Sequence, residues 1–243
     1  MDQSTLHIIA ETPHYLVVDK PAGLPTVPLK SRKDEDTLLS RVAKEYPEVM
    51  SFGKNGWEGG ILHRLDTPTS GLVLVARDEQ AYDRLRQEQD AGMITKEYLA
   101  VSSRNRTALP IGFPIYPYED VTTGKTIAIG SLFRPFGENR REVRPVREDD
   151  SSSLRGKSTG VWYLTKVKQI GCEGEAHRFL CQLTAGFRHQ VRVHLAWAGW
   201  PLDGDANYRG LPGRPFGLTA VSLAFSDPET GRDVCYRLEG EGK

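Results

Sequence analysis

The chain has little cysteine, with only Cys172, Cys181 and Cys235 in 243 residues. Three thiols cannot all pair, and their spacing fits no zinc site, so a disulfide scaffold is excluded and a reducing compartment is expected. Net charge is also missing, since 32 Lys plus Arg balance 32 Asp plus Glu. Nonspecific coating of a polyanion is thereby disfavoured, and any nucleic-acid contact must come from local clusters of Arg and Lys. No apolar run approaches the roughly eighteen residues of a membrane-spanning helix. The first eleven residues, MDQSTLHIIAE, lack a basic-then-apolar leader. A soluble, cytoplasmic protein with no membrane association is therefore expected. There is no internal repeat, no heptad pattern, no glycine-rich phosphate loop and no dinucleotide fingerprint, so no nucleotide cofactor is expected. The six histidines offer no metal site: His189 and His194 are five apart, not the i, i+4 pair of a helical zinc site.

What is present reads as an ordinary globular chain, 26% charged and 38% hydrophobic, long enough to bury a full core. Leu6–Ala10 and Tyr15–Asp19 have the composition of short strands, followed by the turn-rich Lys20-Pro21-Ala22-Gly23-Leu24-Pro25. A helix is expected from about Thr37 to Val49, capped by Asp36 or Thr37, with Leu38, Leu39, Val42 and Tyr46 near one face. A glycine-rich loop covers 51–60. Asp78–Asp90 reads as a second helix with Asp78 as cap and Gly92 beyond its end. Thr95–Val101 is a strand by its β-branched and aromatic content. Arg134–Lys157 is polar and of mixed charge, and reads as an excursion between strands with Ser151–Ser153 at a mobile tip. Gly160–Ile170 and His177–Thr184 are two further strands. In Arg188–Trp197 the alternation of Val191, Val193 and Leu195 suggests a strand, but length and the closing Gly199 favour a helix. Phe216–Leu238 adds at least one strand. With no compositional break, 1–243 is expected to form a single catalytic domain, α+β, around a largely antiparallel mixed sheet with flanking helices.

The informative stretch is Gly59–Arg77, GGILHRLDTPTSGLVLVAR. Leu72–Ala76 is a continuous apolar block of strand length, as in a strand buried on both faces. Thr67-Pro68-Thr69-Ser70-Gly71 is a dense turn signal. Asp66 therefore sits on a loop at the rim of a rigid scaffold, where functional residues are commonly held. By turn chemistry alone, such an Asp usually just accepts hydrogen bonds from nearby amides.

His63-Arg64-Leu65-Asp66, followed by Thr69-Ser70-Gly71, fixes seven residues in nine positions. It resembles the signature of the RluA-type pseudouridine synthases, which isomerise uridine in RNA. Lys96-Glu97-Tyr98 is similar to that family's second motif and His189-Gln190-Val191-Arg192 to its third. The resemblance implies a pseudouridine synthase-like fold with a central active-site cleft. The family often carries a small RNA-binding domain upstream, whereas here the catalytic domain is expected to begin almost at residue 1, with no separate N-terminal RNA-binding domain. The resemblance also implies chemistry without a cofactor or metal, and an RNA partner (rRNA or tRNA) acted on by a monomer. Asp66 would attack the target nucleotide or initiate its glycosidic cleavage. Tyr98 would stack on the base and assist proton transfer, and Arg192 would pair with Asp66. His63, Arg64, Lys96, Arg188, His189 and Gln190 would contact substrate, Arg64 filling the space left by a flipped base. Gly204-Asp205 and Tyr208 also match the family, as scaffold. In a helix, Arg188 and Arg192 would share a face. One departure stands out: the family commonly has Arg directly after Gly186, where this chain has Phe187, its Arg following at Arg188. Two rival readings are a glycosidase pairing Asp66 with Asp203 or Asp205, and an RNA-binding module without turnover.

Overall fold

The computed structural model describes residues 6–29, 35–53, 56–103 and 108–239. Residues 54 and 55 of the expected loop lie outside these, as do the first five of the N-terminal segment. The strands are β1 (His7–Glu11), β2 (Tyr15–Lys20), β3 (Ser70–Ala76), β4 (Thr95–Ser102), β5 (Thr126–Phe136), β6 (Glu142–Val146), β7 (Tyr163–Glu173), β8 (Ala176–Leu183), β9 (Leu218–Ser226) and β10 (Asp233–Arg237). The helices are α1 (Leu38–Glu45), α2 (Glu79–Asp90), α3 (Ser152–Arg155) and α4 (Gln190–Trp197). The mixture is α+β, as expected. Among the described residues no helix is long and apolar enough to cross a membrane. The chain divides into two compact units, the first made of Met1–Lys96 with Thr219–Lys243 and the second of Glu97–Leu218.

In the first unit the strand order is β1-β2-β3-β9, with β10 beside β9. β2 pairs antiparallel to β3 from Tyr15↔Ala76 to Lys20↔Gly71. β3 meets β9 in parallel at Ser70↔Thr219 and Gly71↔Ala220. Strands on both sides, with α2 packed on its face, explain the unbroken apolar run of Leu72–Ala76: every side chain there is buried. These join Tyr15, Val17, Leu85, Leu223 and Phe225 in one core. Each fully buried Leu, Val or Phe contributes about 1.5–3 kcal/mol.

Both helix starts are set by side chains. Thr37 is the cap of α1: its hydroxyl accepts from the Ser40 amide at 3.1 Å, and the Ser40 hydroxyl accepts from the Thr37 amide at 2.9 Å. Asp78 caps α2 by accepting from the Ala81 amide at 2.8 Å, and Gly92 beyond its end has φ 71°. The first helix is shorter than expected. It stops at Glu45 because Tyr46 precedes Pro47 and has left helical geometry (φ −128°, ψ 71°), and Pro47–Met50 form a separate 3-10 turn.

The second unit has strand order β4-β8-β7-β5-β6. β7 and β8 form an antiparallel hairpin turning at Gly174, φ 59°. The supposed excursion Arg134–Lys157 is largely structured. Arg134–Phe136 complete β5, Glu142–Val146 form β6, and Ser151 caps the single turn α3. Pro145 obscures β6 in the sequence but is tolerated because β6 pairs with β5 alone at the sheet edge. Gly130 interrupts the β5 pattern because the Trp162 indole lies where a Cβ would stand, 2.6 Å away. α4 begins only at Gln190, so Arg188 lies outside it and does not share a helical face with Arg192. Phe133, Val143, Val193, Ala196 and Tyr208 form the core of this unit.

Gly71 gives the fold a sharp test. It has φ 112°, and a Cβ there would stand 2.2 Å from the Ala220 carbonyl oxygen. Gly71→Ala should therefore cost at least about 2 kcal/mol, through left-handed strain and separation of β3 from β9. Thermal unfolding checks this, with an unchanged midpoint as the contrary result.

Candidate active site

The expected site residues fall into two groups, one in each unit. His63, Arg64, Asp66 and Lys96 belong to the first; Tyr98, Arg188, His189, Gln190 and Arg192 belong to the second.

In the first unit the backbone on both sides of Asp66 is held by the segment that follows β2. The Lys20 side chain is fully buried, and its ammonium donates to the carbonyls of Pro21 (2.9 Å), Leu24 (2.7 Å) and Thr67 (3.3 Å). The Gly23 amide donates to the same Thr67 carbonyl at 2.8 Å. Thr26 completes the grip: its hydroxyl accepts from the Leu65 amide at 3.1 Å and donates to the Leu65 carbonyl at 2.8 Å. The Thr69 amide closes the turn onto the Asp66 carbonyl at 3.0 Å. Burial lowers the Lys20 pKa to about 8, and the Asp66 charge opposes that lowering. Asp66 itself is half-buried, on a loop whose main chain is tied on either side.

His63 is buried, and its Nε2 accepts from the Leu74 amide at 3.3 Å. Its proton is therefore on Nδ1, which has no partner among the described residues. Burial, and secondly the Lys96 charge, hold its pKa well below the usual range, so the ring is neutral. Lys96 is also buried, and desolvation, aided by Arg86, lowers its pKa to about 8. Arg64 is exposed and donates to Glu58 at 3.3 Å.

In the second unit Tyr98 is buried on β4. Arg192 is 4% exposed, and its Nε and Nη2 each donate to one carboxylate oxygen of Asp205 at 2.8 Å. Its guanidinium lies over the rings of Tyr208 and Phe216, 5.2 Å from each centroid. The backbone of His189 is left-handed, φ 59°, and its Nδ1 is 2.8 Å from the Tyr208 hydroxyl. That hydroxyl also accepts from the Val143 amide at 3.1 Å.

Gln190 is locked into the scaffold, where the resemblance implies a substrate contact. Its amide nitrogen donates to the Leu164 carbonyl and the Thr165 hydroxyl, both at 3.0 Å, and its oxygen accepts from the Phe187 amide at 2.9 Å. Phe187 itself stacks on Phe133 at 5.0 Å, so the residue that departs from the family pattern is a core ring. Arg188 instead reaches the carbonyls of Arg140 (2.6 Å) and Glu142 (3.3 Å).

Lys20 and Thr26 were missed by sequence reasoning. The signal for Lys20 was the turn-rich segment 20–25, which is similar to one at this place in the family, but its Pro21 and Gly23 read most simply as reversing the chain. The glycosidase reading loses its second acid. Asp205 is engaged bidentately by Arg192, and Asp203 accepts from the Ser103 amide and hydroxyl, both at 2.7 Å.

A family model described as RNA pseudouridylate synthase matches residues 14–197. The chain belongs to that family. Among curated relatives of the chain, "Ribosomal large subunit pseudouridine synthase D" of Yersinia pestis is 32% identical over 221 residues, 90% of this chain and 58% of the relative. The protein of the same name from Xanthomonas campestris is 29% identical over 222 residues, 90% of this chain and 56% of the relative. The chain thus spans little more than half the length of these relatives. The solved structure titled "Human RNA Pseudouridylate Synthase Domain Containing 1" shares the fold with TM-score 0.66, at 19% identity, over 97% of this chain and 84% of that one.

The Arg192–Asp205 pair sets a second prediction. Removing one member of a buried ion pair costs about 3–5 kcal/mol. Asp205→Ala should lower the unfolding free energy by that amount in denaturant titration. A loss below about 1 kcal/mol, the range of an exposed pair, would contradict it.

Proposed function

We propose that this chain catalyses the isomerisation of uridine to pseudouridine in ribosomal RNA, with Asp66 as nucleophile. The observation that carries the proposal is the signature loop 63–71, whose main chain is held on both sides of Asp66 by Lys20, Gly23 and Thr26. A carboxylate on so constrained a loop is poised to react, since correct placement removes much of the entropic barrier. The isomerisation balances within one nucleotide: the bond from N1 to C1′ breaks, one from C5 to C1′ forms, and the proton lost at C5 is matched by one gained at N1. It needs no co-reactant, and we propose none.

The other roles follow the family resemblance: Tyr98 stacks on the uracil, and Arg192 acts on the Asp66 carboxylate. Lys96 and the neutral His63 complete the polar surroundings of the substrate, and Arg64 occupies the space left by the flipped base. Extracting a base from a helix costs a few kcal/mol, to which aromatic stacking returns about 1–3 kcal/mol. Ribosomal RNA is the substrate class because the curated relatives are named for it. On this reading the protein works as a cytoplasmic monomer, its two units serving one catalytic domain.

Asp66→Asn tests the central role. The amide is nearly isosteric but a far poorer nucleophile. Release of tritium from C5-labelled uridine in a ribosomal RNA transcript should vanish, while the melting temperature and RNA affinity change little. Turnover by a folded Asn variant would remove Asp66 from the chemistry.

A further inference from the structure

Left-handed backbone on residues other than glycine is uncommon, and it persists where surrounding contacts determine it. Among the described residues it occurs at Asn139 (φ 53°), Arg140 (φ 56°), His189 (φ 59°) and Arg209 (φ 66°), all in the second unit. Printed contacts join these positions. Arg188 Nη2 donates to the Arg140 and Glu142 carbonyls, binding the loop before α4 to the turn between β5 and β6. The Tyr208 hydroxyl, one residue before Arg209, bridges His189 Nδ1 and the Val143 amide at the start of β6. Three separate chain segments thus meet in one place.

The side chains they present are cationic. Arg140, Arg141, Arg188 and Arg209 are all exposed. Arg140, Arg141 and Arg188 have no carboxylate within ion-pair distance among the described residues. Arg209 Nη1 donates to the Ala108 carbonyl at 3.0 Å. The neighbouring carboxylate of Glu142 is taken by the buried Arg144 at 2.6 Å, leaving Glu138 as the one acidic side chain of the turn without such a partner. In a chain of zero net charge, this is a local excess of guanidinium on a fixed frame. Every cation in it is Arg, whose planar fork matches two phosphate oxygens, where Lys offers a point charge.

We propose that Arg140, Arg141 and Arg188 form a rim that binds the phosphate backbone of the substrate RNA. It is separate from the residues of the three motifs apart from the loop carrying Arg188 and His189. This rests on the RNA-modifying reading above and adds the place where the RNA backbone is held. The displaced Arg188 has a use on this view: with Phe187 turned into the core, the arginine faces outward to the turn and its phosphates.

The test uses the full chain and an unmodified large-subunit ribosomal RNA transcript, with binding titrated across salt concentrations. Arg140→Gln/Arg141→Gln should weaken binding and reduce the log–log salt slope by about 1.4, at about 0.7 per single-strand phosphate contact. Arg188→Gln should reduce it by about 0.7 on the same basis. Arg147→Gln is the control, because Arg147 is already paired with Asp149; its slope should match the parent. An unchanged affinity and slope in the rim variants, or an equal loss in the control, would overturn the proposal. So would competition by polyglutamate at the same charge concentration as effective as that by RNA, which would make the rim a general polyanion site. Tritium release by the parent protein, measured alongside, judges the isomerase reading separately, since the rim stands or falls on the binding slopes.

Discussion

The grip on the main chain around Asp66 is the constraint on which the first unit's functional geometry depends. A carboxylate on a flexible loop samples many positions, but here Leu65 has both its amide and its carbonyl bonded to one hydroxyl, that of Thr26. The Thr67 carbonyl receives the Lys20 ammonium and the Gly23 amide together. Hydrogen bonds from a charged donor contribute about 1.5–3 kcal/mol each, against about 1 kcal/mol for neutral ones. They also offset the cost of burying the Lys20 charge, which the fall of its pKa to about 8 records. The main chain on both sides of Asp66 is thereby fixed.

The second unit achieves rigidity by other means. α4 is buried along its whole length, and its polar side chains are linked beneath it. Gln190 donates to Thr165, the Thr165 hydroxyl is 2.8 Å from His194 Nδ1, and His194 Nε2 is 3.0 Å from the Ser131 hydroxyl. Burial pushes the His194 pKa down to about 3, so it is a neutral link in this chain. A fully satisfied buried network of this kind fixes orientation as well as position. Together with the Arg192–Asp205 pair it sets the helix on which two of the motif residues ride.

Much of this was legible in the sequence where the determining residues are near neighbours. Asp78 and Gly92 bracket α2 by local chemistry, and the apolar run Leu72–Ala76 announced a strand with neighbours on both sides. The motif residues could be named, but not all their contacts. Lys20 escaped because its acceptors are backbone carbonyls, which no side-chain letter reports. The resemblance named Asp66 as the partner of Arg192, whereas Asp205, thirteen residues on and bonded to it bidentately, was read only as scaffold or as a second acid. β5 and β6 were hidden by Gly130 and Pro145, whose presence makes sense only beside the Trp162 indole and at a sheet edge. Arg188 was misplaced on a helix because nothing in the pattern shows that His189 turns left-handed before the helix begins.

The parallel contact between β3 and β9 also bears on the order of synthesis. The first unit is interrupted by the whole of the second, so the strand that follows the Asp66 loop meets its β9 neighbour only after Ala220 has been made. Until then Ser70 and Gly71 lack their neighbour on that edge, whereas Leu74–Ala76 are already bonded there to Gly60–Leu62. The contact is nonlocal as well, which slows its formation. For a nascent polypeptide, Lys20, Gly23 and Thr26 are therefore available to grip the loop around Asp66 long before its far end, at Ser70 and Gly71, is joined to β9.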